Sequence, residues 1–340
     1  MKNLTTYLWV GIFILILATL LNISLGSVSI PLDEIVKSIF HLEVSKESWQ
    51  YIILEYRLPK AFTAILVGSG LALSGLLMQT LFRNPLAGPY VLGLSSGASL
   101  GVALVIMGSS LFGGIAAGLF LSKWTLVIAS SLGSFLVLLA ILGASFKIKD
   151  TMALLIIGLM FASLTSAVVS VLSYFSPSQQ LQQYIFWSFG SLGNLSWTEV
   201  GILFLFWLSG IILSIFCIKN LNSLLLGEQY AKSLGTNLKQ NRFLVIFATS
   251  LLAGSITAFA GPIAFIGLAV PHLVRQIIPS SNHLVLVPAV ILAGAILMLI
   301  CDSIAQIPGS ELTLPINAIT SIIGAPVVIW LLVRKKKLMF

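Results

Sequence analysis

Long apolar runs separated by short polar segments dominate the chain, and this pattern predicts membrane spans. About 20 consecutive apolar residues cross the hydrocarbon core of a bilayer as a helix. Glycines and serines interrupt the neighbouring runs 90–108 and 111–122. We interpret these two runs as one span plus a connecting or re-entrant segment. The pattern therefore predicts an all-α integral membrane protein with about ten transmembrane helices. The runs lie at 7–26, 61–82, 90–108, 111–122, 124–146, 152–175, 197–218, 243–260, 262–278, 284–305 and 314–333.

The composition agrees with a chain that is solvated by lipid. Of the 340 residues, 58% are hydrophobic and only 8% are charged, whereas a soluble domain is about one quarter charged. The first run is too long for a cleaved signal peptide, so we interpret it as a retained span. Cys217 and Cys301 both lie in apolar runs, where we expect them to fill space and not to form a disulfide.

The distribution of basic residues predicts the orientation of the chain. With the N-terminus in the cytoplasm and ten spans, most of the 18 lysines and arginines fall on the cytoplasmic side, including the run Arg334–Lys337. Cytoplasmic loops of membrane proteins carry such an excess. Both termini and the segment 224–242 are therefore predicted to be cytoplasmic. The same reasoning explains the net charge of +8, so no nucleic-acid partner is expected.

A short internal echo links the two halves of the chain, 1–175 and 176–340. The segment Leu86–Leu94 reads LAGPYVLGL, and Phe259–Leu268 reads FAGPIAFIGL. An odd number of predicted spans separates the copies, so they would face opposite sides of the membrane. Inverted repeats with broken helices are typical of transporters. The alternative is that Ala-Gly-Pro is simply a common helix-breaking tripeptide in membranes.

The segment 224–242 is hydrophilic between two apolar halves. Glu228 and Lys232 have the spacing and order of a helical ion pair. Gly227 and Gly235 are expected to divide the segment into two short helices. Such amphipathic helices either lie on lipid headgroups or bind a soluble partner, and the pattern alone leaves both open. Four apolar residues fall on one helical face: Leu224, Ala231, Leu234 and Leu238.

Two cations lie one helical turn apart at the predicted outer start of the second span. Arg57 and Lys60 would form a small positive patch that faces outward. Side chains of this kind often extend toward the headgroups without any partner. Cations are disfavoured on the outer side, however, so the pair also suggests an acidic partner.

Five segments together resemble a known family. Each is a weak signal alone, but their shared order and spacing from Arg57 to Arg334 are specific. They resemble the iron-complex and cobalamin family of ABC importer permeases, which includes siderophore, haem and vitamin permeases. The resemblance implies the type II ABC importer permease fold, with structural motif residues Arg83, Asn84, Pro85, Gly261 and Pro262. The segments read YRLPK, LALSGLLMQTLFRNPLAGPYVLGLSSGAS, LLLGEQYAKSLG, AGPIAFIGLAVPHLVR and LTLPINAITSIIGAPVVIWLL.

The resemblance also implies an assembly around a single permease domain, 1–340. A second permease subunit, expected to be an identical copy, would complete one pathway. Two cytoplasmic ABC ATPase subunits would drive it, and an extracytoplasmic substrate-binding protein would deliver the cargo. The family's coupling helices map onto Gly227, Glu228, Ala231 and Gly235 in segment 224–242.

No nucleotide-binding pattern of the form G-x-x-x-x-G-K-[S/T] occurs in the sequence. We therefore expect ATP and Mg²⁺ to be used by the ATPase partner. This chain is expected to bind no cofactor and no metal, and to have no catalytic residue of its own.

Family members also use particular positions for docking and gating. The resemblance implies that Arg57, Lys60 and Gln306 face carboxylates of the binding protein, and that Thr151 and Met152 form a cytoplasmic gate. Three of these positions depart from the family pattern. Gln306 replaces an arginine and Met152 replaces a small hydroxyl residue, whereas Lys60 is a milder change that keeps the charge but loses the bidentate fork.

The resulting prediction is a permease subunit in the bacterial cytoplasmic membrane that carries a ferric siderophore, with haem or cobalamin as alternative cargoes. An ion-coupled secondary transporter is a rival class, which usually has ionisable residues within its spans; Asp302 is the nearest candidate. An intramembrane enzyme is a second rival. Its case is weak, because His41, His272 and His283 lack the spacing of metal ligands.

Overall fold

The computed structural model describes residues 2–108, 122–148, 150–306 and 312–333. These residues form helices joined by short connections, and among them the only β pairing is an isolated bridge between Gln306 and Thr313. A π-helical turn at Ile53–Arg57 and a 3₁₀ turn at Pro89–Leu92 interrupt the series. The helices are α1 (Lys2–Ser24), α2 (Leu32–Ile39), α3 (Glu47–Ile52), α4 (Leu58–Phe82), α5 (Leu94–Gly108), α6 (Lys123–Lys147), α7 (Thr151–Phe175), α8 (Ser178–Ser188), α9 (Trp197–Leu225), α10 (Glu228–Ser233), α11 (Leu238–Ala260), α12 (Ile266–Ile277), α13 (His283–Ala305) and α14 (Ile316–Val333).

Membrane-crossing helices account for most of the described chain. Two shorter apolar helices, α5 and most of α14, accompany them. The prediction of an all-α integral membrane protein is confirmed. Seven described stretches are long and apolar enough to span a bilayer: Thr5–Ser24, Glu47–Phe82, Lys123–Ser145, Met152–Phe175, Trp197–Leu225, Leu238–Ala260 and His283–Ala305.

One predicted span contains a break. The run 262–278 is not a continuous helix, because its helical part, α12, has only 12 residues. At about 1.5 Å per residue it reaches about 18 Å, well short of a hydrocarbon core about 30 Å thick. Gly261 and Phe265 have φ values of 76° and 66°, and these left-handed residues hold 261–265 out of helical geometry. The helix therefore begins inside the molecule.

The run at 90–108 is also broken. It begins with the 3₁₀ turn Pro89–Leu92, and Gly93 then adopts a φ of 75° before α5 starts. The neighbouring predicted run, 111–122, lies outside the described residues except for Ser122, whose side chain caps the first turn of α6. The terminal basic run 334–337 also lies outside them.

Helix α4 forms the centre of the molecule and is buried over most of its length. Glycines allow two neighbouring helices to approach its backbone. A Cβ atom on Gly68 would lie 2.2 Å from the Gly294 carbonyl oxygen in α13, and one on Gly75 would lie 1.8 Å from the Gly267 oxygen in α12. Without a hydrophobic force between helices in lipid, such close packing is a main source of association.

The two echo segments meet face to face. The Tyr90 hydroxyl accepts a hydrogen bond from the Ile263 amide at 3.0 Å and donates to the Ile263 carbonyl. Tyr90 and Ile263 occupy equivalent positions of the echo, immediately after Gly-Pro in each copy. The two breaks in the helical pattern are therefore joined directly to each other.

The helices that follow the two breaks run in opposite directions. Helix α5 runs parallel to α7, because Gly93 lies beside Gly158 and Met107 beside Ser173. Both helices lead away from the end of the molecule that carries segment 224–242, hereafter the 224–242 end. Helix α12 leads toward that end, where its His272 bonds to the carbonyl of Pro85. This reversal is the inverted arrangement that the echo predicts.

The opposite end of the molecule contains helices that the hydrophobic pattern did not predict. Helix α2 is short and is held by the Glu34 carboxylate, which bonds to Lys37 at 2.8 Å and to the Ser45 amide at 2.8 Å. Helix α8 lies between the spans α7 and α9. Both helices are too short or too polar to produce a membrane-span signal.

Candidate functional site

The chain between α9 and α11 contains one separate short helix, so the prediction of two is wrong. Gly227, with φ 115°, separates α9 from α10, and Gly235, with φ 81°, ends α10. The Asn237 side chain then accepts a hydrogen bond from the Gln240 amide at 3.1 Å and caps α11. The second amphipathic piece is the first turn of α11, because the apolar run that begins at 243 continues the helix without a break.

The apolar residues of segment 224–242 point in two directions. Ala231 is fully buried against the rest of the chain. Leu226, Tyr230 and Leu234 are 65%, 55% and 56% exposed, and these three apolar side chains are here called the 226–234 stripe. Tyr230 and Leu234 lie one helical turn apart, whereas Leu226 precedes the break at Gly227. The predicted common face is therefore wrong for Leu234, which lies on this stripe and not beside Ala231.

The charged residues of α10 do not pair with each other. Glu228 is half-buried and Lys232 is exposed, and no ion pair joins them in the part of the chain that the structure describes. The expected ion pair is therefore absent. Both charges remain available for another molecule.

The motif Arg83-Asn84-Pro85 ties the end of α4 to the base of segment 224–242. Arg83 has a φ of 45° and ends α4. Its guanidinium donates to the Leu224 carbonyl at 2.7 Å, in the last turn of α9. The Asn84 side chain accepts from the Leu86 amide at 2.9 Å, which holds the turn into the first break. This end of α4 thus contacts both segment 224–242 and an echo segment.

Gln79 links α4 to α12, a contact that the sequence did not reveal. Its amide donates to the Leu268 carbonyl at 3.3 Å, and its oxygen accepts from Arg275 at 3.2 Å. His272 bonds to the Pro85 carbonyl at 2.8 Å. These residues are almost 200 positions apart in sequence, so no local pattern could show that they meet.

Arg57 is buried and does not face outward, contrary to expectation. Its guanidinium donates to the carbonyls of Ile23 at 2.8 Å and Ser24 at 3.1 Å, and also to Val28. The carbonyls that end α1 thereby find donors. Gly26 leaves room for this side chain, since a Cβ there would lie 2.7 Å from the guanidinium. In this arrangement Arg57 secures the α1–α2 connection and presents no free charge.

Lys60 and Gln306 lie close together, as partners of one carboxylate. The Lys60 ammonium lies 3.2 Å from Asp302 Oδ1. Asn22 and Gln306 each donate to Asp302 Oδ2 at 2.9 Å. Asp302 is only 3% exposed, so a cation and hydrogen bonds are needed to offset the desolvation of its carboxylate. Asp302 is therefore already paired, which weakens the ion-coupled interpretation of this residue.

The positions expected to form a gate lie at the start of α7. The Asp150 carboxylate caps this helix by accepting from the Met152 amide at 2.9 Å. Met152 is 50% exposed; the Thr151 side chain lies outside the part that the structure describes. Arg242 bonds to the Ile148 carbonyl at 3.0 Å, so this corner adjoins the start of α11.

Gly261 and Pro262 occupy the second break, close to the loop after α8. A Cβ on Gly261 would lie 2.9 Å from the Gly190 Cα, and Ser191 donates to the Ala260 carbonyl at 2.8 Å. The Asn317 side chain accepts from the Ala264 amide at 3.1 Å. Together with Tyr90, this side chain supplies partners for backbone that is irregular at membrane depth, as a spanning protein requires.

Helix α7 presents an apolar face that the rest of the described chain does not cover. Met160 is 59% exposed and Leu164 is 60% exposed. Within a membrane, such a face contacts lipid or another subunit. Further exposed apolar residues of this helix are Ile156, Leu159, Val168 and Val171.

A cavity of 690 Å³ opens at the end opposite to segment 224–242. The Lys123 ammonium at its wall is paired with Glu199 at 2.7 Å. Glu55 is exposed there, and it belongs to none of the ion pairs among the described residues. Five aromatic residues contribute to the lining: Tyr51, Tyr56, Phe186, Trp187 and Phe259.

The described residues contain no cluster that suggests a metal site. In this part of the chain, no three His, Cys, Asp or Glu side chains lie close enough to hold a metal ion. Cys217 and Cys301 are buried and free.

Comparison with known proteins places these features in one family. The model of the FecCD transport family matches residues 14–334. The hemin transport system permease protein HmuU of Yersinia pestis is 35% identical over 331 residues, which cover 96% of this chain and 95% of that protein. The vitamin B12 import system permease protein BtuC of Klebsiella pneumoniae is 36% identical over 333 residues, which cover 96% of this chain and 93% of that protein.

The fold is shared with a solved transporter. An ABC transporter assigned to the metal-chelate type, in an inward-facing conformation, matches with a TM-score of 0.83 at 33% identity, covering 98% of this chain and 100% of that one. The resemblance derived from the five segments is thereby confirmed, and so is the expectation of a transport permease and not an enzyme. This chain belongs to the FecCD transport family, as a multi-pass inner-membrane permease of the metal-chelate, haem or vitamin B12 type of ABC importer.

Proposed function

We propose that this permease carries a ferric siderophore across the cytoplasmic membrane. The observation that carries the proposal is the full-length match to a transporter of the metal-chelate type. Haem and cobalamin are the alternative cargoes, because relatives of similar identity are named for hemin and for vitamin B12. The proposed orientation places both termini and segment 224–242 in the cytoplasm, in keeping with the excess of basic residues there.

The assembly that we propose contains two copies of this chain as a single-domain permease. The uncovered apolar face of α7 supports a second copy, since Met160 and Leu164 would be buried by it. Two ABC ATPase subunits would bind ATP and Mg²⁺, and an extracytoplasmic binding protein would deliver the chelate. The sequence contains no nucleotide-binding loop of its own, which supports a separate ATPase.

Segment 224–242 is the proposed ATPase-binding site. The 226–234 stripe offers three exposed apolar side chains, and Glu228 and Lys232 offer unpaired charges beside it. Gly227 and Gly235 adopt positive φ and bound the short helix, so they would set its angle. Ala231 would not contact the ATPase directly. Because it is buried, it would hold α10 against the rest of the permease.

A route for coupling leads from this site into the membrane. Arg83 joins segment 224–242 to the end of α4, and Gln79 joins α4 to α12. Helix α12 in turn follows the second break, which Tyr90 bonds to the first. Movement of α10 would thus reach both breaks through hydrogen bonds and packed helices. Thr151 and Met152, at the start of α7, remain the proposed gate.

Docking of the binding protein is proposed at the opposite end. Three docking residues are expected there. The Arg57 side chain already bonds to backbone carbonyls, and the Lys60 and Gln306 side chains already bond to Asp302. Direct contact of these residues with a carboxylate would require the internal bonds to exchange. The aromatic cavity beside them is exposed in its present form and is the better-supported contact surface.

The cargo can be tested by uptake into proteoliposomes that contain the permease, its ATPase and its binding protein. Ferric siderophores, haemin and cyanocobalamin would be supplied separately, with ATP enclosed. We expect ATP-dependent uptake of a ferric siderophore and little uptake of the other two. Uptake of haemin or cyanocobalamin alone would overturn the cargo assignment. Uptake driven by a proton or sodium gradient without the ATPase would overturn the transporter class.

A further inference from the structure

A second cavity lies at the 224–242 end. It measures 490 Å³ and opens between α9 and the start of α13. Its lining comes mostly from one face of α9, with Leu284 of α13 as the facing wall. The lining residues are Ile215, Ile218, Lys219, Asn222, Ser223, Leu226 and Leu284.

The chemistry of this lining changes with depth along α9. Ile215 and Ile218 come first, Lys219 follows, Asn222 and Ser223 come next, and Leu226 lies last, directly after the end of the helix. From Ile215 to Ser223 the helix rises about 12 Å. From Ile215 to Ser223 the lining thus follows the order in which a lipid leaflet presents its chains, phosphate and headgroup, and the apolar Leu226 lies beyond that stretch.

Lys219 is the charge that this cavity offers. Its side chain is exposed, and no ion pair in the described part of the chain includes it. Asn222 is already engaged, because its oxygen accepts from the His283 amide at 2.9 Å and its nitrogen donates to Asn282 at 2.9 Å. The polar rim is therefore fixed in position, and Lys219 is free to bind an anion.

We propose that this cavity binds an anionic phospholipid. One acyl chain would lie against Ile215 and Ile218, the phosphate would contact Lys219, and Leu284 would contact the lipid at the level of Asn222. A basic site between helices at the membrane surface is suited to such headgroups. The exposure of Leu284, at 63%, and of Ile215, at 53%, supports an apolar occupant. The proposal rests on the membrane location of the chain and not on its cargo.

The position of the site suggests a consequence for coupling. Leu226 is the last lining residue, and Gly227 directly follows it at the start of the proposed ATPase-binding segment. A lipid in the cavity would therefore contact the residue that precedes the turn into α10. We expect the bound lipid to favour one angle of that turn.

Native mass spectrometry of the purified permease in detergent tests the proposal. Equal amounts of phosphatidylglycerol and phosphatidylcholine would be added to wild type, Lys219→Gln, Lys219→Arg and Lys147→Gln. Lys147 is an exposed lysine at the same end, on α6 and away from the cavity. We expect wild type to retain phosphatidylglycerol preferentially. Lys219→Gln should lower its occupancy about fivefold, as for loss of one surface lysine contact, while the other two variants retain it.

Several outcomes would overturn the proposal. Equal retention of both lipids by wild type would show that the site does not select charge. An equal loss in Lys147→Gln would assign the effect to general surface charge. Displacement of the lipid by millimolar inorganic phosphate would indicate a soluble anion. Loss of ATPase binding in Lys219→Gln, with lipid occupancy unchanged, would make the ATPase the occupant. Leu284→Ser checks the apolar wall and should lower phosphatidylglycerol occupancy without removing the cation.

Discussion

Three side chains converge on the Asp302 carboxylate, and two of them, Lys60 and Asn22, come from distant parts of the chain. Lys60 supplies a positive charge, and Asn22 and Gln306 supply hydrogen bonds. A carboxylate placed this deep would be costly if any of these partners were removed. The network joins α1, α4 and α13, so its first consequence is structural, whatever it contributes to docking.

Removal of the Lys60 charge should therefore destabilise the permease. We expect Lys60→Gln to lower the free energy of unfolding by about 2–4 kcal/mol, because Asp302 would stay buried without a cation. Thermal unfolding in detergent would measure the change. The double variant Lys60→Gln/Asp302→Asn is the control and should recover most of the loss. A double variant as unstable as the single one would mean that packing, and not charge, explains the effect.

Glu34 should make stability depend on pH at the opposite end from segment 224–242. The bond from Lys37 is the main cause that holds the pKa of Glu34 at about 2, with the Ser45 amide and hydroxyl contributing. An unfolded glutamate titrates at about 4.3, so the stabilisation is present above that pH and is lost as the pH falls toward 2. Glu34→Gln should lower the unfolding temperature at pH 6, and the difference from wild type should shrink at pH 3. A difference that is constant with pH would contradict this assignment.

At the scale of elements, the two broken helices depend on each other. Each break exposes backbone groups inside the membrane, and lipid offers them no hydrogen bonds. Tyr90 from one break satisfies both polar groups of Ile263 in the other, and Asn317 satisfies Ala264. The inverted pair is thus stable as a unit, and neither half provides all of its own partners.

Loss of the Tyr90 hydroxyl tests that dependence. Tyr90→Phe should cost about 1–3 kcal/mol of the free energy of unfolding, because the Ile263 amide and carbonyl would be left without partners. Unfolding in a denaturing detergent would measure it. Tyr174→Phe provides the control, since Tyr174 is 83% exposed and should be neutral. Equal effects of the two changes would rule out a special role for the junction.

The approach of α4 to α12 gives a second prediction at this scale. Gly75→Ala would place a Cβ 1.8 Å from a backbone oxygen, so the helices must separate. We expect a loss of about 1–3 kcal/mol or more. Gly143→Ala is the matched change in α6, where a Cβ would meet nothing within 4 Å, and should be neutral or slightly stabilising. Unfolding that is unaffected by Gly75→Ala would show that the helices can shift freely.

At the scale of the whole molecule, hydrophobic runs predicted most helices because lipid demands long apolar stretches. They could not predict that 262–278 starts with non-helical backbone, since Gly261 and Pro262 are compatible with several local conformations. The partners of the charged side chains could not be predicted from the sequence either. The roles of Arg57 and Lys60 depend on carbonyls and a carboxylate contributed from elsewhere in the chain. The charge of a residue could be read from sequence, but the group that neutralises it could not.

Coupling is the prediction that involves the whole assembly. Glu228 is half-buried, makes no ion pair among the described residues, and adjoins the 226–234 stripe. Reversal of its charge in Glu228→Arg should leave the permease folded, because no internal partner is lost. A charge-complementary ATPase surface should then bind about tenfold more weakly, since a like charge at an interface costs at least about 1.4 kcal/mol. Pull-down of the ATPase by the purified permease would measure binding, and ATP-driven uptake should fall with it.

Glu43→Arg is the matched control for that experiment. Glu43 is exposed and lies at the end opposite to segment 224–242, where the ATPase does not reach in the proposed orientation. It should leave ATPase binding unchanged. If Glu228→Arg binds the ATPase as wild type does and transports at the wild-type rate, the ATPase does not bind to segment 224–242. The exposed stripe would then face the headgroups, which is the alternative that its amphipathic pattern allows.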